Sequence, residues 1–372
     1  MTGSLEIRYF AHSWVSDWNH GNAHFLRALV GELARMGHRV RCYEELGSWS
    51  LTNLVNTEGE RAIDAVEVFR RAFPSLNIHF YNDDASFKDF VRRELKGADI
   101  VIIHEWNKPK IVNTILSLKA ELGFRALFHD THHRAYSNPR EILQLRLDLF
   151  DGVLAFGEAI RKIYTDGFGL PRAWTFHEAA DVVNFKPLDL PKQHDVIWIG
   201  NWGDEERTKE LREFLVGPAT MEPHRRIVVH GVRYPEYAVK LLSDAGIEFR
   251  GYLPNLKSPE AYGRSMLTIH VPRQQYTNGL SGIPTIRVFE TLACGIPLLC
   301  SPWRDAEGLF RPGHDYLLLP DGRAMKAEIE HLVKDEAARA QLAQNGMETI
   351  KRHHTCTHRA QQLVEICEEL GR

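Results

Sequence analysis

Short apolar runs alternate with amphipathic segments along most of this chain, and the alternation predicts a strand–helix–strand order throughout. Leu5–Phe10 predicts a first strand. A loop rich in Trp14, Trp18, His20 and Gly21 then leads into a helix over about Asn22–Met36, with Phe25, Leu26, Leu29, Val30 and Leu33 on its inner side and Gly37 at its end. Arg39–Tyr43 predicts a second strand, so the chain opens as a βαβ unit. Beyond a helix-rich segment, Asp99–His104, Arg125–Asp130 and Gly152–Phe156 predict buried strands spaced for parallel crossovers. The pattern restarts at Asp195–Gly200, whose glycine-loop tail runs from Asn201 through Asp204 to Arg207, and continues with strands at Ile227–His230, Glu248–Arg250 and Met266–Val271. Pro187 and Pro191, with polar residues between them, predict a hinge and set domains at 1–188 and 189–350. In the remainder, 351–372, the amphipathic segment Arg359–Leu370 either folds back on the first domain or caps the second. No repeat of solenoid period is visible.

The stretch Asn278–Trp303, NGLSGIPTIRVFETLACGIPLLCSPW, concentrates the most local information. A turn-rich lead containing Asn278, Gly282 and Pro284 runs into a short helix on which Ile286, Phe289 and Ala293 repeat at i, i+3, i+7. Arg287 and Glu290 share a neighbouring face. Gly295 stops the helix as a left-handed cap and Pro297 forbids its continuation. Leu298-Leu299-Cys300 then reads as a strand apolar on both faces, as the inside of a parallel sheet requires. A glycine-containing loop feeding a helix start around Thr285 and Ile286 suits phosphate, because unpaired N–H groups meet the positive end of the helix dipole there. An ordinary loop–helix–strand unit with a surface Glu–Arg pair would look the same.

Composition narrows the class. The 372 residues suffice for two domains with separate cores, and 44% hydrophobic with 26% charged residues is ordinary globular composition. A net charge of −3 gives no strong nucleic-acid signal. Five cysteines lacking C-x-x-C spacing read as reduced thiols, which points to a cytoplasmic location. No stretch approaches the ~20 apolar residues of a membrane span, although peripheral membrane contact stays open. Polar residues collect at the predicted strand ends, His104-Glu105 and His129-Asp130, the edge where open α/β sheets bind ligands. The group His129-x-x-His132-His133 lacks a matching carboxylate and does not make a metal constellation; nor does the chain carry an Asp-x-Asp motif.

Glu290-Thr-Leu-Ala-Cys-Gly-Ile-Pro resembles the donor-site segment of retaining glycosyltransferases with the two-domain GT-B fold, and Arg287-Val-Phe-Glu resembles their CgeB-like branch. The resemblance implies two Rossmann-like doubly wound domains facing across a cleft. It implies that Glu290 holds the ribose of a nucleotide-sugar and that Gly251, Tyr252 and Leu253 meet the nucleobase. Arg273 is the preferred cation for the diphosphate and Arg207 the alternative, together with helix-start N–H groups around Thr285; Ile286 and Arg287 are further donor-binding candidates. Phe128-His129-Asp130 is similar to the segment whose histidine contacts the donor sugar, which makes His129 and Asp130 the catalytic candidates. Gly21 and Asn22 stand where the family's first glycine loop faces the donor. Many relatives carry a glutamate where this chain has Gly282, so Asn278 or Ser281 is the candidate substitute contact.

The function so implied is transfer of a sugar from a nucleoside diphosphate-sugar to an unidentified acceptor, with retention, without metal and without a cofactor. Two alternatives stand beside it: an epimerase or hydrolase using Glu105, Asp130 and Glu158, and a nucleotide-sugar-binding protein without turnover. Which base, which sugar and which oligomeric state apply are not legible.

Overall fold

The computed structural model describes residues 3–203 and 205–371; Asp204, in the predicted glycine-loop tail, lies outside them. The chain divides into two compact units, Met1–Glu178 with Cys356–Arg372, and Ala179–Thr355.

The first unit is built on seven parallel strands: β1 (Glu6–Phe10), β2 (Arg39–Glu45), β3 (Ile78–Tyr81), β4 (Ile100–His104), β5 (Arg125–Asp130), β6 (Gly152–Ala155) and β7 (Ala173–Thr175), in spatial order β3-β2-β1-β4-β5-β6-β7. Every residue of β4 is buried, because helices cover both faces of a parallel sheet. The edge strands β3 and β7 carry no apolar run of that kind, and they were not separable by sequence pattern. Helix Ala23–Arg35 makes the first crossover and buries the five apolar side chains expected of it. Helix Cys356–Glu369 lies along it: Thr357 donates to Glu32 at 2.8 Å, Gln362 to the Thr175 carbonyl at 2.9 Å, and the Trp174 indole to Glu369 at 2.9 Å.

The second unit has six parallel strands: β8 (His194–Ile199), β9 (Ile227–His230), β10 (Glu248–Phe249), β11 (Ser265–His270), β12 (Leu298–Cys300) and β13 (Leu317–Leu318), in spatial order β10-β9-β8-β11-β12-β13. Its core gathers Val196, Trp198, Val229, Leu267, Ile269, Leu299, Met325 and Ile329. The ends of β8 and β9 approach so closely that a Cβ at Gly231 would fall on the Gly200 carbonyl oxygen. The unit starts ahead of the predicted hinge at Pro187–Pro191. Ala180 pairs with Thr355 and its N–H donates to the His354 carbonyl at 2.9 Å, while Pro187 reaches the helix-ending Gly295.

Candidate functional site

Along the second sheet the chain steps outward from β8 through β9 to β10, then returns to lay β11 beside β8 and steps the other way to β13. The reversal between β8 and β11 is a topological switch point, where loops leaving the carboxyl ends part and open a ligand crevice. Arg207 follows β8, Arg273 follows β11, and helix Ile286–Ala293 begins next to the end of β11, where Thr285 meets His270 Nε2 at 3.4 Å. The Thr285 side chain faces that histidine rather than capping the helix, and no side chain caps its first turn. That leaves the positive end of the helix dipole available to an anion.

The charges around this point are arranged unequally. Arg273 forms an ion pair with Glu206 at 3.4 Å. Arg287 and Glu290 form the pair predicted from their spacing, but inside the protein, not on its surface: Glu290 has no exposed surface. Burial disfavours the Arg287 charge, yet Glu290 and the Tyr262 hydroxyl hold its pKa above the ordinary value. His270 is driven down to about 3 by burial and by the charges of Arg207 and Arg287, so its imidazole is neutral. Arg207, expected to face the diphosphate, is buried, and its guanidinium donates to the backbone carbonyls of Asn201, Trp202 (3.3 Å) and Val271 (2.9 Å). It therefore braces the loop after β8 against the end of β11, and burial, followed by the Arg273 charge, lowers its pKa to about 10.

The remaining donor candidates distribute around this centre. Ile286 opens the helix and is buried. Gly251 has φ of +70°, and its carbonyl accepts the Gly231 N–H at 2.9 Å; Tyr252 and Leu253 follow, half-buried, beyond β10. Since β10 lies three strands from β11, these residues stand roughly 14 Å from the basic group at about 4.8 Å per strand. Gly282 is more than a missing side chain: at φ +95° a Cβ there would sit 3.1 Å from Glu307 Cγ and 3.3 Å from Ala306 Cβ. A glutamate does not fit that position, and the side chain of Glu307 lies against it instead. Asn278 is not in a turn as expected; it ends a short helix, Gln274–Asn278. It lines a cavity of about 720 Å³ with Gln274, Ser301, Trp303 and Arg304, which none of Arg207, Arg273, Arg287 or Glu290 lines.

In the first unit His129 and Asp130 do end β5, beside His104 of β4, but both are enclosed. The His129 ring hydrogen-bonds to the Tyr9 hydroxyl through Nδ1 and packs edge-on against Phe25 and Phe176, while its carbonyl accepts the Glu105 N–H at 2.9 Å. Burial lowers its pKa to about 3. Asp130 accepts the Tyr164 hydroxyl at 2.6 Å and the His132 N–H at 3.0 Å, and burial raises its pKa to about 6. This geometry corrects the expectation of a substrate-facing acid: Asp130 fixes the turn after β5. Glu105 is likewise spent on Thr131 and Arg134, and Glu158 on Arg161 and Thr175. Gly21 and Asn22 lie directly before helix Ala23–Arg35, next to His20. His12 and Trp106, which the sequence reading passed over, gather with His20 and His104 at the sheet edge.

Comparison with known proteins places this architecture. Residues 207–365 match the family described as Glycosyl transferase-like. No curated protein matches the chain in sequence. Among solved structures, sucrose-phosphate synthase from Thermosynechococcus elongatus is similar at a TM-score of 0.68 and 14% identity, covering 98% of this chain and 99% of that one. Anabaena Alr3699/HepE in complex with UDP and glucose reaches 0.71 at 12% identity, covering 98% and 99%. A glycosyltransferase from Rickettsia africae ESF-5 reaches 0.67 at 11%, covering 99% of each. The expected fold holds: two Rossmann-like parallel-sheet domains of the GT-B glycosyltransferase type. The CgeB-like branch is not singled out by these matches.

Proposed function

We propose that this protein transfers a sugar from a nucleoside diphosphate-sugar to a hydroxyl-bearing acceptor, with the second unit holding the donor. The observation that carries the reading is the group at the switch point between β8 and β11, where Arg273, half-buried Arg287 paired with buried Glu290, and a helix start without an N-cap side-chain bond converge within the family-matched segment. Arg273 and the helix N–H groups would neutralise charge developing on the leaving diphosphate, worth several kcal/mol in a water-poor site, and Glu290 would accept a ribose hydroxyl pair. Arg207 supports this by holding the two loops at the switch point. The HepE structure's UDP makes uridine the first base to test.

Retention and independence from metal belong to the same proposal. The sequence lacks Asp-x-Asp, and the carboxylates at the first sheet's edge are committed to internal partners, which favours a course in which the leaving phosphate accepts the acceptor's proton. Glu105, Asp130 and Glu158, the groups an epimerase or hydrolase would use, are each engaged by internal partners, which favours transfer over those alternatives. His129 enters as a positioning residue, its ring packed edge-on against that of His104 at 5.7 Å between centroids. Thermal-shift titration with uridine, guanosine, adenosine and thymidine diphosphates, with and without chelator, tests the reading. A shift with one of them that chelator leaves intact is expected; no shift with any would defeat it.

A further inference from the structure

The first sheet has a switch point of its own. Its chain order runs β1, β2, β3 to one side and β4 through β7 to the other, so the reversal lies between β1 and β4. Asn107 ties the two strand ends there, donating to the Phe10 carbonyl at 3.0 Å and the His104 carbonyl at 2.7 Å. Three imidazoles cluster at these strand ends, with His20 and His104 buried. The ring centroids of His12 and His20 are 4.0 Å apart, those of His12 and His104 5.5 Å, and those of His20 and His104 6.2 Å. Trp106, 42% exposed, stands 6.4 Å from His12, with the Arg134 guanidinium 3.9 Å above its ring.

Buried polar atoms in folded proteins almost always find partners. Here His12 Nδ1 and His104 Nδ1 make no hydrogen bond of standard geometry, and His20 has only a weak one to the Ser16 backbone. His104 Nε2 is engaged with Thr131 at 3.0 Å. Burial, and for His20 and His104 the neighbouring His12, keeps all three imidazoles below the ordinary histidine pKa, so they are neutral near pH 7. The nearby charges are internally matched, Glu105 with Arg134. A cluster whose unpartnered atoms belong to neutral rings, which can donate or accept a hydrogen bond, complements hydroxyls, which also both donate and accept. It does not complement phosphate or carboxylate. An exposed indole beside it suits the apolar face of a pyranose.

We infer that His12, His20, His104 and Trp106 form the acceptor subsite, and that the acceptor is an uncharged sugar or glycoside. This rests on the transferase reading for the word acceptor; binding of the neutral glycoside stands apart from it. Neutral imidazoles also suit metal ions, but among the described residues no group of three or more His, Cys, Asp or Glu is placed to hold one.

Saturation-transfer NMR on the full chain, with methyl glucoside, galactoside and mannoside against glucose 6-phosphate and glucuronate, tests the assignment. At least one neutral glycoside should bind and both anionic sugars should not. Trp106→Ala and His12→Ala should each weaken that binding at least tenfold while leaving the thermal shift with nucleoside diphosphate unchanged. Binding of the anionic sugars only, no binding by any glycoside, unaltered binding in both variants, or histidine-dependent uptake of zinc without glycoside binding would each overturn it. Glycoside binding without any nucleotide shift would instead defeat the transferase reading and leave the subsite standing.

Discussion

Glu290 shows how burial turns a residue type into a role. A carboxylate with no exposed surface remains charged only beside a cation, and Arg287 supplies it one helical turn away. On the proposed reading, Glu290→Gln costs the ribose a charge-assisted hydrogen bond worth ~1.5–3 kcal/mol, so nucleotide affinity should fall about tenfold to a hundredfold, read by calorimetric titration. Undiminished affinity would remove Glu290 from the ribose. Glu307 calls for a different readout. Its side chain lies where Gly282 leaves room for none, so Glu307→Gln should leave UDP affinity within about twofold and selectively weaken the intact nucleotide-sugar. Equal loss for both ligands would make its part purely structural. The Arg287–Glu290 pair was legible because i,i+3 spacing fixes proximity on a helix; its burial was not, since that depends on Tyr262 and the strands beneath. His12 and Trp106 were illegible for the same reason: only the pairing of β1 with β4 brings residues so distant in sequence together.

At the scale of elements, the central strands and helix Ile286–Ala293 were legible because complete burial leaves a continuous apolar run and Gly295, at φ +63°, marks the end. Edge strand β3 is short and partly exposed, and such a segment looks like a loop, whereas β10, shorter still, was legible at Glu248–Arg250. The carboxyl ends of β4 and β5 carry a consequence for pH. His104 and His129 are fully buried, with folded-state pKa values below the unfolded value of about 6.5, to about 3 for His129. Below pH 6.5 the unfolded chain takes up protons that the folded chain refuses, so each histidine subtracts up to about 1.4 kcal/mol per pH unit as pH falls toward 3. Asp130 acts oppositely: its raised pKa makes stability decline as pH rises from about 4 to about 6. Glu105 and Glu44, also raised by burial, share its sign, but His12, His20, His230 and His270 add to the histidines' side and outnumber the three carboxyls. The urea midpoint should therefore drop between pH 7 and pH 5, and His104→Asn should flatten the drop by about one proton's worth. A midpoint independent of pH in the parent would contradict this burial.

For the whole molecule, the restart of the α/β pattern after Pro191 announced two sheets, and of the two placements open to the terminal helix the structure shows the return to the first unit. A helix pattern at 359–370 gives its apolar stripe without naming the surface that covers it; Leu363, Ile366 and Cys367 prove to be buried in the first unit. The family match, ending at residue 365, runs beyond the second unit into this helix. Removing the helix would uncover those side chains and the flank of helix Ala23–Arg35, at ~1.5–3 kcal/mol for each large apolar residue, a sum comparable with the ~5–15 kcal/mol that hold a domain together. Residues 1–178 alone should therefore lack a cooperative thermal transition. The structure also supplies the remedy. The chain enters and leaves the second unit at Ala180 and Thr355, which are paired side by side, so Glu178 and Cys356 can be rejoined through a short Gly/Ser linker with little closure entropy. That chimera, 1–178 linked to 356–372, should melt cooperatively and show near-ultraviolet dichroism from its buried Trp14, with Leu363→Ala costing it about 2–5 kcal/mol. If 1–178 folds as well without the helix as with it, the terminal segment is an accessory and the unit is continuous after all.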